Sequence, residues 1–371
     1  MNSYQGLTLG VEEEYQIIDP KSRELAGRGD KIISFAEKNH GEEAVQPEMR
    51  QSQIEIATSV CQSLAEVRSE LCEGRRIVIE AAQQDNKLIS ASGAHPFSDW
   101  KKQELTPKPR YHRLEQEYQQ IIRELVTFGC HIHVGVSDPE LAIAVINRAR
   151  IWLSVLIALS ANSPFWSGEN TGYMSYRTER WSPFPLVGVP PRFKNYQSYQ
   201  DFVEKLIQME VIQDTSTIYW DIRISEHYPT IEFRVSDVCL TVDEAVMIAG
   251  LIRGLVQTAI TEINHKFAVP SAHPELLKTA HWYAARYGLK GQLIDVVRQC
   301  SKPAKDMVNQ LLNYIRPALE NLGDWEEVSS LVDKVLKEGN AAQRQLEIYQ
   351  RQGNLVEVVD YLVEQTRLGV V

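Results

Sequence analysis

Five short stretches of this chain place Glu, His, Asp and Arg at alternate positions. In an extended strand that spacing sends them all to one face. In Gly10-Val11-Glu12-Glu13-Glu14-Tyr15, Glu12 and Glu14 project together and Glu13 projects the other way. Gln53 and Glu55 share a face opposite Ile54 and Ile56, and His131 and His133 share one opposite Ile132. Asp221 and Arg223 repeat the pattern between Tyr219 and Ile224, and Glu232 and Arg234 oppose Ile231, Phe233 and Val235. Adjacent carboxylates repel unless a cation lies between them. A face that also carries imidazoles and guanidiniums is the outline of a metal and phosphate site. One such pair is what any half-exposed antiparallel strand shows. Recurrence is the signal, because exposed strands ordinarily favour Thr, Lys and Ser. Oxygen-rich groups with a single imidazole suit Mg²⁺ or Mn²⁺ better than Zn²⁺. The His-x-His pair also fits a metal-dependent hydrolase that activates water, although that type would carry the pair near the start of the chain, with further His and Asp ligands downstream.

Arginines are the second theme: Arg110, Arg177, Arg180, Arg192, Arg223 and Arg234 lie in or beside these segments. The guanidinium is a planar donor fork that matches carboxylates and phosphates. Arg177 and Arg234 have the best context for binding, whereas Arg180 and Arg192 read as ordinary surface residues. The chain has no G-x-x-x-x-G-K-[ST] loop and no G-x-G-x-x-G turn, so a nucleotide would be held through metals and arginines. No Ser-His-Asp arrangement and no cysteine-nucleophile signature is recognisable.

Strands must carry these residues, and period-two alternation predicts them at Leu7 to Ile18, Gln53 to Ala57, Leu88 to Gly93, Cys130 to Val136, Tyr219 to Ser225 and Thr230 to Val235. Between them lie predicted helices at Asp30 to Asn39, Leu64 to Asp85, Tyr111 to Phe128, Pro139 to Ala161, Gln200 to Met209 and Val242 to His265. The class is α+β. Ser163 to Arg192, rich in Pro and aromatic residues, reads as a long loop, and loops of that length inside a domain are usually functional. From Pro274 onward the text is helical and charged, with helices at Lys302 to Leu322, Asp324 to Glu338, Ala341 to Gly353 and Leu355 to Arg367 and no evident chemistry. The organisation is a single catalytic domain over 1–371, with a helical subdomain from about 292 to 371.

Composition narrows the function classes. Across 371 residues, 43% are hydrophobic and 24% charged, enough apolar text for a large core. A net charge of −10 argues against a nucleic-acid binder, which needs a positive surface. Five scattered cysteines without a C-x-x-C pair suit reduced thiols. Met1 to Gly10 lacks a basic segment followed by an apolar one, and the apolar stretch Leu141 to Ala161 is interrupted by Asn147, Arg148 and Arg150. The expectation is a cytoplasmic protein with no membrane span.

Gly10-Val11-Glu12-Glu13-Glu14, His131-Ile132-His133-Val134-Gly135, Trp220-Asp221-Ile222-Arg223 and Glu232-Phe233-Arg234, in this order, resemble the YbdK-type carboxylate–amine ligases, a branch of the glutamate–cysteine ligase type 2 family. The likeness runs from about Leu7 to Gly291 and takes in His95-Pro96-Phe97, Arg110-Tyr111, and Ala161-Asn162-Ser163-Pro164 through Arg177 to Trp181. It implies a glutamine synthetase-like catalytic domain: a curved, mainly antiparallel sheet with helices on one face and the active site on the other.

By the same resemblance, Glu12, Glu14 and Glu55 are metal carboxylates, with Glu48 a candidate partner for Glu55. His131 and Glu232 are ligands of the ion that bridges the nucleotide phosphates, and Arg234, with Glu232, forms the catalytic pair at the transferring phosphoryl group. Arg177 and Trp181 hold the substrate α-carboxylate, and Arg223, Arg110 and His133 make further substrate contacts. Plant-type relatives have Gln and Asn where this chain has His131 and His133, so the metal role of His131 follows from the glutamine synthetase comparison alone. The implied activity is ATP-dependent amide formation through an acyl phosphate, with glutamate as carboxylate, an amine such as that of cysteine, a weak glutamate–cysteine ligase activity, and Mg²⁺ or Mn²⁺. A metal-dependent hydrolase and a non-catalytic nucleotide-binding relative are the alternatives. The charged C-terminal helices offer a surface for a homodimer.

Overall fold

The computed structural model describes residues 7–41 and 44–370; Met1 to Gly6, part of the segment read for a leader, lie outside them. Among the described residues, the alternating segments form one seven-stranded sheet. Its strands are β1 (Leu9–Ile18), β2 (Gln46–Pro47), β3 (Gln53–Ala57), β4 (Leu88–Ser90), β5 (Gly129–Gly135), β6 (Ile222–Ile224) and β7 (Thr230–Asp237). The order is β6-β7-β5-β1-β3-β2, antiparallel throughout. β5 and β4 share one edge of β1, β5 along Leu9 to Glu13 and β4 along Gln16 to Ile18.

Val11, Ile17, Ile54, Ile56, Ile132, Ile231 and Phe233 belong to one buried cluster, which also contains residues of the helices Leu64–Gln84 and Val242–Asn264. Ser63 caps the first of these helices, and a Thr241–Glu244 capping box starts the second directly after β7. Gly74 lets the first helix lie on β3, since a Cβ there would stand 2.4 Å from Ile56 Cδ1. Val242–Asn264 is long and apolar enough to cross a bilayer, but it is mostly buried inside the molecule and serves as its core helix.

Glu13, on the core face of β1, is fully buried and paired with the equally buried Arg75, at 2.7 and 3.0 Å. Arg75 also donates to the carbonyls of Leu240 and Cys239 at 2.9 and 2.8 Å, and Tyr15 donates to Glu13. This pair ties β1, the helix Leu64–Gln84 and the end of β7 together. Removing one partner would leave an uncompensated buried charge, at a cost of about 3–5 kcal/mol.

Several elements differ from the sequence reading. The expected helix Tyr111 to Phe128 breaks at Gln119, whose φ is +49°, into Pro109–Tyr118 and Gln120–Arg123, and the rest runs extended into β5. Pro139 to Ala161 is two helices, Pro139–Ala149 and Leu153–Ser160, bent by 69°. Tyr219 to Ser225 splits at Asp221: Tyr219–Trp220 pairs in parallel with Val187–Gly188, and β6 pairs with β7. The predicted loop Ser163 to Arg192 contains the helix Tyr176–Trp181 and the strand pair Phe165–Trp166 with Glu169–Asn170.

In the C-terminal region a hairpin, Gln292–Asp295 with Cys300–Pro303, interrupts the helices. Asp295 closes its turn by accepting from the backbone of Arg298 and pairing with Lys302, both at 2.9 Å. Residues from Leu293 to Val363 join the same hydrophobic cluster as the sheet.

Candidate active site

Cross-strand register assembles the polar face. Glu12 stands opposite His131, Glu14 opposite Glu55, and both His133 and Arg223 opposite Glu232. Directly opposed residues share a face, so five strands deliver their functional side chains to one chamber. Glu48, in the turn after β2, joins its wall, and Arg110 is exposed at its rim.

Three groups of side chains in this chamber bring their ligand atoms within 4.8 Å of one another: Glu12, Glu55 and His131; Glu12, His133 and Glu232; and Glu14, Glu48 and Glu55. Each holds at least two carboxylates and at most one imidazole, the donor set of a hard divalent cation. His133, read as a substrate contact, lies among these ligands: its Nε2 is 3.2 Å from Glu12 Oε1 and its Nδ1 is 2.9 Å from Thr230 Oγ1.

Electrostatics make the third group the sharpest test of fit. Burial and the neighbouring charge of Glu48 push Glu14 up to about 8, although Gly129 N–H donates to it at 2.6 Å. Burial likewise raises Glu48 and Glu55, the latter with added repulsion from Glu48, Glu12 and Glu14. Three buried carboxylates with too little counter-charge need protons or a cation. Around the other groups the balance differs. Burial opposes ionisation of Glu12, but hydrogen bonds and charge from His131 and His133 hold it well below the usual range. Glu232 is also held low despite burial, by Arg234 and Arg223, whereas burial and the Arg234 charge lower His131 to about 4.

Glu232 is clamped from two sides, by Arg223 Nε at 2.7 Å and by a short contact from Arg234. Arg234 Nη1 lies 3.4 Å from His131 Nδ1. Beyond Phe233 the register of β7 slips by one residue, so Ser236 faces Cys130 on the core side and Asp237 faces Gly129 on the site side. This bulge inverts the alternation read from the sequence.

Asp237 is one residue that reading missed. It accepts from Asn162 N at 2.8 Å and from the hydroxyls of Ser163 and Ser175, both at 2.7 Å. Ser163 in turn receives Arg177 N at 3.0 Å, and Ser175 caps the helix Tyr176–Trp181. Asp237 therefore positions the helix that presents Arg177 and Trp181. A charged residue directly before the apolar run Val238 to Leu240 is the only hint the sequence offered.

Arg177, Trp181, Tyr219 and Arg234 also border a second, larger cavity of 680 Å³. Apolar groups from Ile151, Phe184, Val189 and Leu277 dominate its wall, with Arg150, Arg192, Asp221 and His281 among them. Among the described residues, Arg177 Nε, Trp181 Nε1 and His281 Nε2 are buried there without hydrogen-bond partners. Buried polar atoms left in that state usually await a ligand or water. Of the two arginines read as surface residues, Arg180 pairs with Glu124 at 2.7 Å, while Arg192 lies in the wall of this cavity. His281 escaped the sequence reading because it sits on the buried stripe of its helix with Leu277, Ala280 and Ala284.

A model of glutamate–cysteine ligase family 2 matches residues 8–361. A protein of Rhodopirellula baltica provisionally named glutamate–cysteine ligase 2 is 41% identical over 368 residues, 98% of each chain. Its namesake in Herpetosiphon aurantiacus is 38% identical over 365 residues, 98% of this chain and 94% of that one. Among solved structures, the glutamate–cysteine ligase of Francisella tularensis in complex with AMP aligns with a TM-score of 0.71 at 13% identity, over 98% of this chain and 89% of that one. That is a likeness of fold, and it is the α+β fold expected from the strands and helices of the sequence.

Proposed function

Because the chain belongs to glutamate–cysteine ligase family 2, whose members are ATP-dependent ligases joining a carboxylate to an amine, we propose that it activates the side-chain carboxylate of glutamate as an acyl phosphate and transfers the acyl group to an amine. The observation that carries this reading is the shared wall between two chambers. On one side stand the carboxylate and imidazole groups with Arg234, and on the other Arg177 with its unpaired Nε.

Arg177 and Trp181 receive the α-carboxylate of the substrate. Arg234, held by Glu232, meets the charge that spreads over the phosphoryl oxygens as the substrate carboxylate attacks the γ-phosphate of ATP. Mg²⁺ or Mn²⁺ at the three groups would neutralise the remaining phosphate charge. Residues between Thr178 and Arg192 line the larger chamber and would help keep water from the acyl phosphate. The reaction belongs to the cytoplasm, where ATP and Mg²⁺ are supplied.

The test is ADP release by the purified chain with Mg²⁺ or Mn²⁺, crossing glutamate and other carboxylates against a panel of amines. Release that requires both substrates and yields an amide supports the reading. Metal-dependent hydrolysis without ATP would replace it with the hydrolase alternative.

A further inference from the structure

Asp221 lies between Tyr219–Trp220 and β6, fixed on both sides by backbone bonds. Its N–H donates to Gly188 O at 2.9 Å, and its carbonyl accepts from Arg234 N at 2.8 Å. The carboxylate is therefore held beside the strand position that carries Arg234, and it opens into the 680 Å³ chamber. Across from it, on the helix Pro274–Tyr287, stands His281, 7% exposed. His281 Nδ1 is 3.1 Å from Leu277 O, the geometry of an N–H donating to that carbonyl. That leaves Nε2 as the ring nitrogen turned to the chamber, without a hydrogen-bond partner among the described residues. Nε2 faces Asp221 Oδ2 at 3.1 Å but forms no hydrogen bond with it. A carboxylate beside an unpaired ring nitrogen on a chamber wall is placed to take a ligand that carries several N–H bonds. A primary ammonium, with three N–H bonds and a positive charge, is such a group.

The surroundings favour that ligand at this point. Arg177, Arg234, Arg150, Arg192 and Lys278 make the rest of the charged wall largely cationic, with Glu179 and Glu275 as its other acids. Anionic substrate groups are drawn to the arginines, and the ammonium is left to Asp221.

Building on the ligase reading, we propose that Asp221 and His281 form the seat of the acceptor amine, and that Asp221 takes the first proton from its ammonium. R–NH₃⁺ gives one proton to the Asp221 carboxylate; the freed lone pair forms the C–N bond at the acyl carbon. The C–O bond to phosphate breaks, phosphate leaves with the electron pair, and the second N–H proton departs with it as HPO₄²⁻. Asp221 then returns its proton to solvent. The acceptor class is a primary amine. A chamber of 680 Å³, within the range of roughly 300–1,000 Å³ that holds drug-sized ligands, leaves room for acceptors larger than cysteine.

The experiment compares two nucleophiles on the full chain with glutamate, ATP and Mg²⁺. Cysteine arrives as an ammonium and must lose a proton. Hydroxylamine is neutral near pH 7 and traps the acyl phosphate as a hydroxamate without that step. In Asp221→Asn, amide formation with cysteine should fall on the order of 10²-fold or more, the usual worth of a positioned base, while hydroxamate formation stays near wild type. His281→Leu should move in the same direction. Equal loss with both nucleophiles would assign the pair to holding the fold and overturn the proposal, as would unchanged amide formation. A wild-type chain that makes neither product would overturn the ligase reading itself, and this proposal with it.

Discussion

The Arg177 guanidinium lies so close to the backbone of Gly129 that a Cβ at position 129 would stand 2.6 Å from its Nη2. The same glycine donates its N–H to Glu14. One residue without a side chain thus separates Arg177 from the acidic group, and the distance between them is set by the absence of an atom.

Gly129→Ala should therefore act on substrate binding. The methyl group displaces the guanidinium fork, and losing a charge-assisted hydrogen bond costs about 1.5–3 kcal/mol, which corresponds to a rise of roughly 10- to 100-fold in KM for the carboxylate. Steady-state kinetics at saturating ATP and amine would check this. An unchanged KM would mean that the carboxylate binds elsewhere.

Arg234→Lys keeps the charge but loses the planar fork, and Arg234→Ala loses both. The alanine variant should drop kcat by about 10³-fold or more, the scale of arginines that stabilise phosphoryl transfer, with the lysine variant in between. Glu232 is better replaced by Gln than by Ala, because removing it would leave Arg223 and Arg234 facing each other in a buried site. Circular dichroism should show both families of variants folded, and ADP release should show them inactive.

Metal removal should expose the repulsion among Glu14, Glu48 and Glu55. Glu14 is raised from an ordinary value of 4.5 to about 8, so its protonated form is the one that favours folding. That stability is present in full below pH 4.5 and is lost as pH climbs through about 8. In the presence of EDTA, the melting temperature of the wild type should fall by several degrees between pH 5 and 8, and Mn²⁺ should restore it. Glu14→Gln should flatten the pH dependence, melt higher at pH 8 without metal, and gain less from Mn²⁺. Identical melting curves for the two chains would contradict the assignment of Glu14 to a cation site.

The C-terminal helices offer a prediction of a different kind. Gln345 Nε2 donates to Asn162 Oδ1 at 2.7 Å, and Asn162 N donates to Asp237. Asp237 orients the two serines that position Arg177. Gln345→Leu should raise KM for the carboxylate several-fold and leave KM for ATP almost unchanged, although position 345 touches no substrate. Asp237→Asn, which cannot accept all three of those bonds, should do the same more strongly. Equal effects on both substrates would point to general destabilisation instead.

Which parts of this site could be read in the sequence follows from how each residue is placed. Glu12, Glu14, Glu55, His131, His133 and Glu232 lie on regular strands, where alternation alone decides the face, and the structure brings them together on one side of the sheet. Asp237 lies past a bulge, where alternation gives the wrong parity. The split at Asp221 comes from tertiary pairing with Val187–Gly188, some 30 residues away, which no local pattern encodes. His281 and Gln345 sit on helices whose periodicity marks them as core, and only packing shows what they face. The left-handed Gln119 that ends its helix early carries no Gly or Pro signal.

Glu12 belongs to two of the three ligand groups, and Glu55 also to two. Shared ligands link the occupancies, since an ion that orients a common carboxylate changes the affinity of its neighbour, and thermodynamic reciprocity requires the effect to run both ways. Divalent ions held by these groups would therefore be coupled in their binding. Activity against free divalent-ion concentration should then depart from a single-site curve, and the protein would answer its ionic supply through linked sites instead of independent ones.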